Sequence, residues 1–151
     1  MLAVAVANGT IIIYQWQDPS NLTSFNEFRE INLLPNGECT CLSWNPAFDE
    51  PMTLVVGCLI QSQEAGENDF SKLLQLICFN KDADKELDLV VPFNKGQHKQ
   101  MINDVQWSPL SGRSFHMIVS CSKDFTVVLW RVVQMDLMNG ELFEVPNISA
   151  V

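Results

Sequence analysis

The first seventy residues contain one basic side chain, Arg29, against nine carboxylates, and the whole 151-residue chain has only nine lysines and arginines for a formal charge of −9. A surface so poor in cations repels phosphate backbones and anionic lipid, which argues against direct binding of nucleic acid or a membrane surface. Residues 71–151 hold eight basic and nine acidic side chains, so the deficit belongs to the first half. Long hydrophobic runs are missing too. Met1 to Ala7 is apolar but far shorter than the ~20 residues of a membrane-spanning helix, and it lacks the basic flank and cleavage site of a signal peptide. No stretch offers ten residues of clean helical periodicity with caps. There is no glycine-rich phosphate loop and no basic aromatic patch, so no cofactor is expected.

Cysteine is present but in odd number: Cys39, Cys41, Cys58, Cys78 and Cys121. No second Cys or His pair stands at zinc-ligand spacing, so no metal site is expected. Reduced, mostly buried thiols in a cytosolic or nuclear protein fit this pattern. Cys39 and Cys41, one residue apart, should share a face of a strand. The Asn-x-Ser/Thr triplets at Asn8, Asn21 and Asn147 should then stay unglycosylated. Asp82 to Asp88 is acidic like a calcium loop but lacks the glycine and flanking helices, and reads as a solvated hairpin tip.

What the chain does have is short apolar runs, rich in β-branched and aromatic residues and bounded by turn residues. With 47% hydrophobic residues the chain is globular rather than disordered. The runs predict strands over 2–7, 10–16, 27–33, 38–44, 53–59, 73–79, 86–91, 102–107, 115–121, 126–133 and 141–145. Asn8-Gly9 between the first two is a strong hairpin signal. The fold class is all-β.

The strands also repeat. Trp44 and Trp107, each two residues before a proline, lie 63 positions apart, with Leu42 matching Val105 and Cys39 matching Ile102. The hairpin at Asn8 matches one at Asp124, which pairs Tyr14 with Trp130. Residues 102–130 resemble a WD-type propeller blade, and the spacing of the repeats, longer than a WD repeat of roughly 40–45 residues, implies insertions, visible as polar stretches at 61–71 and 80–85. His98, Ser120, Asp124 and Trp130 fall in the order and spacing of its hydrogen-bonded tetrad. The role expected of them is satisfaction of buried polar groups: carboxylate to imidazole, imidazole to hydroxyl, hydroxyl to indole. A Ser120–His98–Asp124 catalytic triad is the rival reading. No oxyanion-hole glycine turn accompanies Ser120, so no catalytic residue is expected. His116 reads as an ordinary, partly buried histidine.

Further runs narrow the resemblance. Asp18 to Phe25 with Glu30-Ile31, Cys41 to Pro46, Pro51-Met52 before Val56-Gly57, and above all Gly112-Arg113-Ser114-Phe115-His116 are similar to the Seh-type nucleoporins. These are small WD40 β-propellers of the Y-shaped nuclear-pore scaffold, related to the COPII outer-coat propeller. The resemblance implies a partial propeller of about three of six blades: an incomplete blade at 1–35, then blades at 36–94 and 95–151. It implies a scaffold at the nuclear envelope rather than an enzyme. The partner implied is a helical nucleoporin that completes an open propeller by strand insertion. A COPII-type coat adaptor, or a subunit of an amino-acid-sensing complex at the vacuolar or lysosomal membrane, is the alternative.

Overall fold

The computed structural model describes residues 1–18, 20–21, 23–33, 37–47, 52–60, 74–79, 89–93, 98–109, 112, 114–133, 137–138, 141–142 and 147–150. Every regular element among them is a strand: β1 (Leu2–Ala5), β2 (Thr10–Trp16), β3 (Phe25–Asn32), β4 (Gly37–Trp44), β5 (Thr53–Ile60), β6 (Leu74–Cys78), β7 (Leu89–Pro92), β8 (Ile102–Trp107), β9 (His116–Ser122), β10 (Val127–Val133), β11 (Leu137–Met138), β12 (Glu141–Leu142) and β13 (Asn147–Ala150). The insertions at 61–71 and 80–85 and the acidic run from Asp82 to Asp88 lie outside the described residues.

The strands form three open antiparallel sheets. The first is β1-β2-β3, the middle one β4-β5-β6-β7 and the last β8-β9-β10-β13, with β11-β12 a separate two-stranded ribbon. They stack face to face around two seams, as in part of a WD40 propeller. Ile11 and Ile13 of the first sheet meet Leu54, Val56, Cys58, Ile77 and Phe79 of the middle one. Val55, Leu74, Leu76 and Cys78 meet Ile102, Val105, Ile118 and Trp130 of the last. Successive residues of a strand point to opposite faces, so β5 and β6 fill both seams at once. That is why their sequences are near-continuous apolar runs, interrupted only by Thr53, Gly57 and Gln75, instead of alternations. Strands β4 and β8 run side by side where the middle and last sheets approach. Pro92, which cannot donate to a ladder, sits on the edge strand β7.

Two expectations need correction. The outer strand of the last sheet is Asn147–Ala150, paired with Trp130 to Val133; the predicted 141–145 strand contributes instead Glu141–Leu142, paired with Leu137–Met138. The pair Asn139-Gly140 separates these two short strands in the sequence, a hairpin signal that competes with extension. Nor do Cys39 and Cys41 share a face. The β4–β5 register shifts between them, so that Cys39 opposes Cys58 and Cys41 opposes Gly57. Thr40 is the extra residue, and it turns Cys41 into the seam with the last sheet while Cys39 packs in the seam with the first.

Candidate functional site: a buried polar relay in the last sheet

The four residues singled out from the sequence come together. Ser120 on β9 and Trp130 on β10 project from the buried face of the last sheet, and each is 2% exposed or less. His98, 4% exposed, precedes β8, and Asp124 lies in the tight turn between β9 and β10. The Trp130 indole N–H donates to Ser120 Oγ at 2.8 Å. Ser120 Oγ is 2.7 Å from His98 Nε2. His98 Nδ1 is 3.0 Å from Thr126 Oγ1 and 3.4 Å from Asp124 Oδ2.

The two ends set the direction of the protons. An indole can only donate and a carboxylate can only accept. Hence Ser120 O–H donates to Nε2, Nδ1–H donates to Thr126 and Asp124, and the Thr126 hydroxyl donates to Asp124 Oδ1. Thr126 is the member that sequence reasoning missed. Its signal was the Asp-x-Thr spacing of the turn, where Asp124 Oδ1 also accepts the Thr126 amide at 3.0 Å. The Lys99 amide donates to Asp124 Oδ2 at 2.7 Å and ties the segment after His98 to this turn. Burial is the largest influence on the Asp124 carboxyl and pushes its pKa up. The Thr126 hydroxyl, the Lys99 and Thr126 amides and nearby His98 together outweigh it and hold the pKa below the ordinary value.

Ser120, His98 and Asp124 are therefore arranged much as in a hydrolase triad, but with a tryptophan hydrogen-bonded to the serine. Ser120 is 1% exposed, and its Oγ already accepts from the Trp130 indole. What the relay can do is satisfy every polar group it buries while locking the start of β8 to the β9–β10 hairpin.

The other sheets carry partial copies. In the first, Asn8 Oδ1 accepts the Thr10 amide at 3.1 Å, as Asp124 does for Thr126, and Gly9 and Phe125 hold matching left-handed φ of 80° and 65°. Position 4 is valine where position 120 is serine, so the polar chain stops there. The inner strands share a device too: β8 bulges between Ile102 and Asp104, 63 residues after the Thr40 bulge of β4. Ser43 joins the two sheets, its Oγ accepting from the Trp107 amide at 2.9 Å. The Gly112–His116 run is explained by its neighbours. Gly112 supplies a left-handed turn at φ 65°, Phe115 lies 4.6 Å from the Arg131 guanidinium, and His116 Nδ1 accepts from the Trp107 indole at 3.4 Å. His116 is 6% exposed, more buried than expected. Among the described residues no three His, Cys, Asp or Glu side chains converge as metal ligands.

No family model matches the chain. Curated proteins do. Nucleoporin seh1 of Schizosaccharomyces pombe is 26% identical over 149 residues, and human Nucleoporin SEH1 is 26% identical over 142. Those alignments cover 95% and 93% of this chain but 38% and 37% of the relatives. The chain is similar to Seh1 nucleoporins. Nucleoporin seh1 of Drosophila melanogaster is 31% identical over 136 residues, which is 88% of this chain and 35% of that protein. The chain thus spans a little over a third of the length of the Seh1 relatives it matches, and matches them as a Seh1-type WD40 propeller segment.

Proposed function

We propose that this chain is part of a Seh1-type propeller serving as a structural scaffold in the outer ring of the nuclear pore, where it supports nucleocytoplasmic transport. The observation that carries this is the end-to-end similarity to Seh1 nucleoporins from fungus, insect and human. The blades are 1–35 (incomplete), 36–94 and 95–151. His98, Ser120, Asp124 and Trp130 form the structural tetrad of the last blade and carry no catalytic step. The partner is a helical nucleoporin that adds strands to an open sheet edge, where main-chain hydrogen bonds supply affinity and side-chain pockets supply specificity. The acidic first seventy residues support this protein-binding role over contact with nucleic acid.

The experiment is affinity purification of the tagged full-length protein, with fractionation of the nuclear envelope. Recovery of helical nucleoporins in the envelope fraction is expected. Coat components alone, or only subunits of a vacuolar or lysosomal amino-acid-sensing complex, would overturn the nuclear-pore assignment.

A further inference from the structure

None of the five cysteines is in a disulfide, and two of them are set against each other. Cys39 and Cys58 stand directly opposite across the β4–β5 ladder. Both face the seam between the first and middle sheets, Cys58 wholly buried and Cys39 half-buried. Opposed residues in an antiparallel pair have Cα atoms about 4.5 or 5.5 Å apart, inside the range of about 4.4–6.8 Å that a disulfide spans. The Thr40 bulge isolates the pair, because it sends Cys41 to the opposite face, against Gly57 and the last sheet. Cys78 lies in that other seam as well.

We propose that Cys39 and Cys58 form a reversible intramolecular disulfide, with Cys39 meeting the oxidant and Cys58 resolving it. The two side chains oppose each other across the ladder and interact electrostatically. Cys58 opposite lowers the Cys39 pKa, while Cys39 and burial raise that of Cys58, which gives the less buried of the two cysteines the thiolate character that attack requires. The oxidant is a low-molecular-weight disulfide. The Cys39 thiolate attacks one of its sulfurs, forming a mixed disulfide and releasing the first thiolate. Cys58 then attacks Cys39 Sγ, its proton passing to the departing second thiolate. Two protein thiols and one small disulfide become one protein disulfide and two small thiols. The bond staples β4 to β5 beside the bulge and leaves the relay of the last sheet untouched.

The test treats the folded, reduced chain with oxidised glutathione, blocks the remaining thiols and maps the peptides by mass spectrometry. A Cys39–Cys58 cross-link that dithiothreitol reverses is expected. In Cys58→Ser, glutathione should remain on Cys39; in Cys39→Ser, Cys58 should stay unmodified. Three wild-type results would overturn the proposal without any variant: glutathione retained on Cys39, a dominant Cys41–Cys121 or other pairing, or all five thiols left free.

Discussion

Phe125 is the residue whose local conformation most needs explaining. It is 99% exposed and holds φ at 65°, a region that L-residues enter at a cost of roughly 1–2 kcal/mol. Gly9 occupies the matching position in the first sheet without that strain. Phe125→Gly should therefore raise stability, by up to about 1 kcal/mol once the flexibility of glycine in the unfolded chain is offset, read as a higher urea midpoint at unchanged slope. Gly9→Ala should move the midpoint the other way. In the relay, Ser120→Ala leaves the Trp130 indole and His98 Nε2 without their buried partner, and about 1–3 kcal/mol should be lost. Asp124 also predicts a pH dependence. Its folded pKa lies below the ordinary 3.8, so its contribution is complete above the unfolded value and is lost as pH falls through the folded one. Asp124→Asn should be less stable near neutrality but should lose less between about pH 4 and pH 2, as urea titrations at each pH would read. The four relay residues were legible because polar types at fixed offsets in an apolar setting have few bland explanations. Thr126 was not, since a threonine opening a strand is what β-propensity alone supplies.

At the scale of elements, the middle sheet is the least forgiving, because its two central strands pack on both faces. Thr53 is fully buried on β5, and among the described residues its Oγ1 has no hydrogen-bond partner. Thr53→Val keeps the shape and removes the desolvated hydroxyl, so a gain of about 1 kcal/mol is expected from chemical denaturation. Gly57, four residues on, works the other way. A Cβ there would collide with Cys41 Sγ and would come within 3.1 Å of Thr40 Oγ1 and of Ile102 across the seam. Gly57→Ala should cost about 1–3 kcal/mol through overpacking, and a melting curve indistinguishable from the parent chain would refute that close approach. The same strands teach what a sequence carries. Runs such as 53–59 and 102–107 were readable because length, β-branching and flanking turn residues agree. The Thr40 bulge was invisible, since one extra residue leaves composition and hydrophobicity unchanged while reversing the face of everything after it. The outermost strand was misplaced for a related reason: 141–145 and 147–150 have similar strand character, and only pairing with β10 separates them.

At the scale of the molecule, the two outward-looking sheet faces decide how the chain behaves in solution. On the first sheet, Leu2, Val4, Trp16 and Phe25 are 37–49% exposed, with the carboxylates of Glu27 and Glu30 on the same face by register. On the last sheet, Val119 is 37% and Val127 71% exposed, and Arg131 shares their face. The inward faces of the same sheets make the two buried seams, so the outward ones have the curvature and apolar content to pack again. The first face carries two carboxylates, while on the last the register sets Asp104 on the same face as Arg131. The apolar side chains and the Arg131 guanidinium therefore favour the first sheet of one copy meeting the last sheet of the next. Such a contact is heterologous: it closes into a ring if the rotation allows and otherwise grows. The 151-residue chain alone should thus form concentration-dependent assemblies in light scattering. Val4→Lys combined with Val127→Lys places charge at both partners of that contact and should shift the population to monomer without lowering the melting temperature. A parent chain that stays monodisperse and monomeric at high concentration would contradict the packing argument, whereas assemblies unchanged by both lysines would move the contact to the open sheet edges.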